Sequence, residues 1–399
     1  MRRVSSGAFA SSVLHTELNA FSAQDRGFVT DLLYGTLRHY RYLDACLAPH
    51  LKRPDKLPDD VYDALRLGAF ELLIRGTPRR AVTNEWVGTV KKKYGRLSGL
   101  VNAVLRKLEP RQDLPPPIKL SVPDDLFADW QSLFAKEAEA VAAAMLEPEP
   151  LWLTSYHPDA AILLEGEGCR VTAGPLQDTL AVQPSRPLAE LEAFKRGWIQ
   201  PQNPSSTVPA RLLASERGER VLDLASGNGI KAAQFAHAGA KVMSVELESK
   251  KLERAEKNLK RLGLQTESLA HDLRNVPDLE PAMKVLLDAP CSGTGTLRGH
   301  PEIKQRFNQK ALESLAILQA ELLTTAAAQT ASGGTLVYAI CALTSAESLE
   351  VVEQFLENQP DFSLKPFELA LPHKKTPYGS FILPLEGLDG FFISRFKRV

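Results

Sequence analysis

Two cysteines fifty residues apart carry the most legible chemistry in this chain. Cys291 stands in Asp288-Ala-Pro-Cys-Ser-Gly-Thr-Gly, straight after the apolar run Val285-Leu286-Leu287, and Cys341 ends Thr335-Leu-Val-Tyr-Ala-Ile-Cys. Each closes what reads as a buried strand. In an open parallel α/β sheet ligands lie outside the carboxyl ends of the strands, so both thiols are expected to look into one cleft. Two such thiols suit a pyrimidine ring. Carbon 5 of cytosine is too electron-poor to attack a methylsulfonium until a nucleophile has added at carbon 6, and a thiolate is a good nucleophile for that step. The other two cysteines, Cys46 and Cys169, read as small buried hydrophobes. With no short metal-like spacing among the four, neither a disulfide framework nor a zinc site is expected.

A second constellation lies upstream. Arg220-Val-Leu-Asp-Leu-Ala-Ser-Gly-Asn-Gly-Ile-Lys231 reads as a strand, a glycine-bearing turn and a helix start. Gly227 and Gly229 let the backbone turn sharply and approach a ligand, and the helix start offers free amides. Glu246, at the end of the next strand, is placed to accept hydrogen bonds from a ribose diol. The spacing Gly227-x-Gly229-x-x-Ala232 also fits a dinucleotide fingerprint, so a nicotinamide-dependent oxidoreductase stays open on the loop alone. Two carboxylates favour S-adenosyl-L-methionine: Asp223 before the turn, facing a cationic methionine moiety, and Asp272 after the third strand, facing the adenine amine. Ala225 and Ser226 would complete the loop around that cofactor.

The elements that must hold these residues fall into three stretches. Residues 1–147 are helical in pattern, with three-four spacings such as Phe28, Leu32, Leu33, Leu37 and amphipathic runs at 60–74 and 82–94 that end in glycine. Glu147-Pro-Glu-Pro150 reads as a linker. Residues 148–200 alternate short strands (151–155, 171–173, 179–183, 198–199) with one helix near 159–165, a small α+β domain. From 201 to 399 the rhythm is strand, tight turn, helix, with strands at 221–225, 241–246, 269–272, 285–288 and 335–340. That alternation predicts a doubly wound parallel sheet. The segments 380–383 and 390–396 have no helix between them and should pair as an antiparallel ribbon at its edge.

A chain of 399 residues exceeds one ordinary core, in keeping with several domains. No apolar run approaches a membrane span, the start lacks a signal-peptide pattern, and a cytoplasmic protein without membrane contact is the simplest reading. The net charge of +0 conceals an asymmetry: residues 1–111 hold 19 Lys and Arg against 11 Asp and Glu, whereas residues 112–200 hold 6 against 14. A basic N-terminal third is the footprint of a part that docks phosphate backbones, or else an ordinary solvated helical surface.

Asp288-Ala-Pro-Cys-Ser-Gly-Thr-Gly-Thr-Leu-Arg-Gly-His-Pro-Glu-Ile-Lys304 closely resembles the motif of RNA 5-methylcytosine methyltransferases. Asp25-Arg26, Leu33-Tyr-Gly-Thr-Leu-Arg38 and Leu43-Asp44 resemble the NusB-like helical domain of the bacterial RsmB (Fmu/Sun) branch, and Gln202-Asn-Pro-Ser-Ser206 and Asp389-Gly-Phe-Phe are similar to further family signatures. The resemblance implies a multidomain α and α/β protein: a NusB-like RNA-binding bundle, a small α+β domain and a class I Rossmann-like methyltransferase domain. It implies methylation of carbon 5 of a cytosine in RNA, 16S ribosomal RNA first, by a monomer that uses S-adenosyl-L-methionine and no metal. Cys341 would add to carbon 6, Cys291 would assist release, Asp288 would hydrogen-bond the cytosine edge and touch the cofactor, and Lys231 would lie near the target base. Apart from the resemblance, Arg298, His300, Lys304 and Arg306 closely follow the first cysteine motif and are expected either to hold flanking phosphates or to form a solvated loop and helix face. The chain departs from the family where Thr-Cys-Ser is usual and Ile340-Cys341-Ala342 stands here, which loses two hydroxyls, and where Ser348 replaces an Asn. A silent RNA-binding or ribosome-assembly factor with the same fold is the alternative.

Overall fold

The computed structural model describes residues 1–18, 21–148 and 150–399, so position 149 of the expected linker lies outside the described residues. The chain forms two compact units, Met1–Pro148 with Leu297–Phe307, and Glu149–Thr296 with Asn308–Val399. This division differs from a three-domain reading in two ways. Residues 150–201 belong to the same unit as the large sheet, and Leu297–Phe307 belongs to the helical unit although it follows Cys291 in sequence.

The helical unit is built from Ala10–Glu17, Ala23–Arg38, Tyr40–Leu47, Asp59–Leu73, Arg79–Tyr94, Ser98–Lys107 and Asp124–Phe134, with shorter turns between them. Its apolar residues recur every three or four positions, so one face of each helix closes over a core of Leu43, Leu47, Val61, Leu65, Val101 and Leu105, all fully buried. Ser22 caps the second of these helices, its Oγ accepting from the Asp25 amide at 3.2 Å. Asp44 accepts two bonds of 2.7 Å from the Arg66 guanidinium, a bidentate pair that ties neighbouring helices. Both acids named in the NusB resemblance therefore have structural work inside this unit.

In the second unit, β1 (Leu151–Ser155), β2 (Arg170–Ala173), β3 (Thr179–Gln183) and β4 (Ile199–Pro201) form an antiparallel sheet in the order β2-β3-β1-β4. Leu153, Val182 and Ile199 pack on the helix Ala160–Gly166. This small sheet is fastened to the rest of its unit by named bonds: Trp152 Nε1 donates to the Gly387 carbonyl at 2.8 Å, and Arg261 donates to the Phe194 and Ile199 carbonyls at 2.7 and 3.0 Å. Those bonds join it to the elements of the large sheet.

The large sheet contains β5 (Arg220–Leu224), β6 (Lys241–Glu246), β7 (Glu267–Ala270), β8 (Ala282–Asp288), β9 (Thr330–Ile340), β10 (Phe362–Leu364), β11 (His373–Thr376), β12 (Gly379–Ile382) and β13 (Phe391–Arg398). Among the described residues it has nine strands in the order β11-β12-β13-β9-β8-β5-β6-β7, with β10 paired to β13. The run from β9 to β7 is parallel, whereas β13 joins β9 antiparallel and β12 joins β13 the same way, as the ribbon expected from 380–383 and 390–396. Leu222, Val285, Leu286, Leu287 and Val337 are fully buried because helices cover both faces of a parallel sheet. One of those helices, Gln309–Ala328, is long and apolar enough to cross a membrane; its Leu312, Leu322, Leu323, Ala326 and Ala327 are buried within the unit. Strand order reverses between β5 and β8, and the crevice at that switch point is where a ligand is expected.

Candidate active site

The carboxyl ends of β5, β6, β8 and β9 deliver Asp223, Glu246, Asp288 and Cys341 to that crevice. A cavity of about 610 Å³ opens there, walled among others by Asn203, Asp223, Lys231, Asp288, Cys341 and Phe391. A second cavity, about 480 Å³, lies on the other side of the β5 turn and is lined by Glu246, Leu247, His271, Asp272, Arg274 and Leu322. Ala225, Gly227 and Asp288 belong to both walls. The turn therefore divides one elongated site into two compartments.

The turn itself is shaped for close approach. Ala225, Gly227 and Gly229 all have left-handed backbones, with φ of 58°, 57° and 72°. For Ala225 this conformation costs on the order of 1 kcal/mol, strain of the kind found at ligand sites. A side chain on Gly229 would also collide, since an added Cβ would lie 2.8 Å from the Ala255 Cβ. Gly229 starts the helix Ile230–His237 without a side-chain cap, which leaves first-turn amides facing the site. Glu246 holds the turn from the next strand, its two oxygens accepting from the Gly227 amide at 2.9 Å and the Glu248 amide at 3.1 Å.

Asp223 is fully buried, and apart from a weak approach of the Ala232 amide neither of its oxygens has a hydrogen-bond donor. Burial, with the negative charge of Asp288 added, pushes its carboxyl up to about 7, against a smaller opposing pull from Lys231. Such a group suits a cationic ligand arriving in the larger cavity. Asp272 differs: Arg274 hydrogen-bonds its carboxylate at 2.5 Å and holds it down to about 2. Both remain partly exposed on the wall of the second cavity.

Lys231 is buried and donates to Asp288 at 2.6 Å and to Ser206 at 3.3 Å. Burial alone would lower its pKa, but Asp288, then Asp223 and Cys341, more than offset that and hold it above the ordinary lysine value. Its cation thus sits within electrostatic reach of the Cys341 sulfur. The two cysteines meet, Sγ to Sγ, at 3.4 Å as free thiols. Cys341 lines the larger cavity, and Cys291 is not among its described lining residues. Its hydrogen bond with Cys341 and its burial, with a further contribution from Glu347, push the Cys291 thiol well above the ordinary range. Cys46 and Cys169 are buried in the hydrophobic cores.

Ile340 and Ala342, the departures from the family pattern, are fully buried and line neither cavity. A hydroxyl at either position would point into packed surroundings, so its absence leaves the cavity wall unaltered.

Of the four residues expected at phosphates, two are buried and two are partly exposed. Arg298 and Lys304 are 4% and 1% exposed and belong to the helical unit, not to the cavity wall. Lys304 Nζ donates at 3.0 Å to the Arg38 carbonyl, at the end of the helix Ala23–Arg38, and burial pushes it down to about 7. The Arg298 carbonyl accepts from Arg38 Nε at 3.0 Å. Arg306 donates to the Val4 carbonyl at 3.2 Å and lies over the Phe9 ring, and the partly exposed His300 meets the edge of the same ring. Charge in the sequence suggested a surface; in the structure Arg298 and Lys304 are buried against the end of the helix Ala23–Arg38, which removes those two as phosphate ligands.

For two residues near the site the sequence shows the residue but not its contacts. Glu347 keeps the acidic position that follows the second cysteine motif, but its full burial between the two cysteine turns is not visible in the sequence. Asn203 uses its Oδ1 to accept from the Asp389 amide at 3.1 Å, joining two stretches whose family likeness was visible but whose contact was not.

Residues 210–397 match the family described as 16S rRNA methyltransferase RsmB/F, and residues 3–110 match the NusB family. The chain is 42% identical to ribosomal RNA small subunit methyltransferase B of Thermus thermophilus, over 94% of this chain and 89% of that one. It is 32% identical to the protein of the same name from Pseudomonas putida, over 99% and 96%. Among solved structures, PH0851 covers 96% of this chain and 92% of its own at 21% identity and a TM-score of 0.82, which establishes likeness of fold. The match over nearly the full length, together with a methyltransferase-type sheet whose switch point holds the paired thiols, assigns the chain to the RsmB/F family of 16S rRNA methyltransferases.

Proposed function

We propose that this chain transfers the methyl group of S-adenosyl-L-methionine to carbon 5 of a cytosine in 16S rRNA, with Cys341 as the residue that adds to carbon 6. One observation carries the reading: Cys341 shares a wall with Asp223, Asp288 and Lys231, and Cys291 lies 3.4 Å from its sulfur. Bound S-adenosyl-L-methionine supplies an electrophilic methyl group on a sulfonium. Asp223 would offer an unpartnered carboxylate to its ammonium group, the amides of 225–229 would hold its middle, and Glu246 and Asp272 would take its nucleoside end at the second cavity.

The remaining steps belong to the chain's own side chains. Asp288 accepts from the amino edge of the cytosine while Lys231 holds Asp288 in place. The Cys341 sulfur bonds carbon 6, carbon 5 takes the methyl group, and loss of the proton on carbon 5 restores the double bond as the carbon–sulfur bond breaks. A base must leave its stack to reach the cavity, at a cost of a few kcal/mol, which favours an unpaired nucleotide in ribosomal RNA.

Incubation of unmethylated 16S rRNA with labelled methyl donor, followed by bisulfite mapping, tests the assignment to cytosine carbon 5. Cys341→Ala is expected to lose methyl transfer by at least a thousandfold and to form no covalent RNA adduct, whereas Cys291→Ala should accumulate one on a denaturing gel. An adduct with Cys341→Ala, or label at another base, would sink the reading.

A further inference from the structure

The carboxylate of Glu347 is fully buried and takes four hydrogen bonds. Oε1 accepts from the Ser292 amide at 2.7 Å and Gln319 Nε2 at 3.0 Å, and Oε2 accepts from Ser292 Oγ at 2.5 Å and Thr344 Oγ1 at 2.8 Å. Two of the four come from the residue next to Cys291 and one from the turn after Cys341. Gln319 also donates to the Pro290 carbonyl at 2.9 Å, and Tyr338, on β9, donates to the Glu347 carbonyl at 2.8 Å. Among the described residues Glu347 forms no ion pair.

We propose that Glu347 is a positioning residue for product release: its carboxylate ties the Cys291 turn to the Cys341 turn and so aims the Cys291 S–H at Cys341 Sγ, the atom that leaves carbon 6. The proposal rests on the reading of Cys341 as nucleophile. In the release step the proton on carbon 5 passes to solvent water, its electron pair forms the C5–C6 double bond, and the C6–S bond breaks with its pair going to Cys341 Sγ. The Cys291 S–H donates a hydrogen bond to the thiolate so formed and stabilises it as a leaving group. Cys291 needs no contact with the pyrimidine for this, and it is not among the described lining of the larger cavity.

The charge on Glu347 is the informative part. A buried carboxylate without a counter-cation is costly, and a neutral amide could supply much of the same stitching. What an amide could not supply is negative potential beside Cys291. That potential acts in the same direction as burial and the Cys341 hydrogen bond, keeping the proton on Cys291 and available to the leaving sulfur.

Single-turnover reactions of the full chain with labelled S-adenosyl-L-methionine and a 16S rRNA fragment give two rates, methyl transfer and decay of the covalent adduct. For Glu347→Gln the ratio of decay to transfer is expected to fall at least tenfold against the unsubstituted protein, with partial recovery in Glu347→Asp. In a Cys341→Ser background, Glu347→Gln should also lower the pH at which iodoacetamide alkylates Cys291, a shift that a tie without charge would not produce. An unchanged ratio together with an unchanged alkylation profile overturns the proposal. Should Glu347→Gln fail to fold, Ser292→Ala removes one of the four bonds and is expected to lower the ratio in the same direction; no change there overturns it equally. The Cys341→Ala and Cys291→Ala controls keep the two claims apart, because failure of those controls strikes the nucleophile assignment whatever Glu347 does.

Discussion

Asp223 sits in the larger cavity as a carboxylate prepared for a cation. With its carboxyl raised to about 7 by burial and by Asp288, a large share of it is protonated in neutral solution. A ligand ammonium selects the ionised form, so binding below pH 7 must expel a proton. Affinity for S-adenosyl-L-methionine is therefore expected to rise with pH up to and through 7 and then level off, by about tenfold between pH 6 and pH 8 if only the ionised form binds. Calorimetry in buffers of different ionisation enthalpy reads both the affinity and the proton released. Asp223→Asn should bind more weakly and lose the pH dependence assigned to this carboxyl. A wild-type slope that survives in Asp223→Asn would assign the titration to another group, the ligand's own amine included. The same sign governs stability: the folded state takes up a proton here that the unfolded chain releases near pH 3.8, so this residue favours folding most below that pH and progressively less as pH rises through 7.

At the scale of elements, the active site depends on how tightly three backbones can approach. Gly295 donates its amide to the Cys341 carbonyl at 3.0 Å and accepts from the Gly390 amide at 2.8 Å, so it lies between the end of β9 and the start of β13. A Cβ on it would come 2.0 Å from the Gly390 oxygen and 2.9 Å from the Cys341 oxygen, backbone atoms that cannot rotate aside. Gly295→Ala is expected to destabilise the protein by about 1–3 kcal/mol, the range for forced overpacking, and to separate the two sulfurs. Thermal melting measures the first effect, and faster alkylation of the cysteines measures the second. Much of this arrangement is legible in the sequence because parallel strands buried on both faces must be apolar runs, and Val285-Leu-Leu and Leu336-Val-Tyr are such runs. The strands β10 and β11 are not legible. His373-Lys-Lys-Thr is polar and short, and it becomes a strand only through pairing with β12. The partners of Glu347 are hidden for a related reason, since the sequence supplies a carboxylate at the family's acidic position but not the turns folded around it. Arg298 and Lys304 show the converse, charges whose burial depends on a helix end far away in the chain.

For the whole molecule, the question is where an RNA can be held electrostatically. The excess of Lys and Arg in residues 1–111 shrinks when ion pairs are considered, because Arg3, Arg66, Arg75, Arg79 and Arg111 each face an acid. Exposed Lys91, Lys92 and Arg96 form no ion pair among the described residues, and they cluster at the end of the helix Arg79–Tyr94 and the turn after it, where the helix dipole also leaves carbonyls unsatisfied. With no acid paired to them among the described residues, these cations can displace counterions from a phosphate backbone. Every phosphate that the protein no longer neutralises should flatten the plot of log affinity against log salt by about 0.7–0.9, so Lys91→Glu with Lys92→Glu is expected to reduce the slope by about 1.5 if both residues touch RNA. Because these residues do not belong to the cavity, methyl transfer from a saturated complex should change far less than affinity. Filter binding across a salt series measures the slope, and single-turnover transfer at saturating RNA measures the chemistry. An unaltered slope would place the RNA on another surface, and the basic excess of the N-terminal third would then be a solvated helical face.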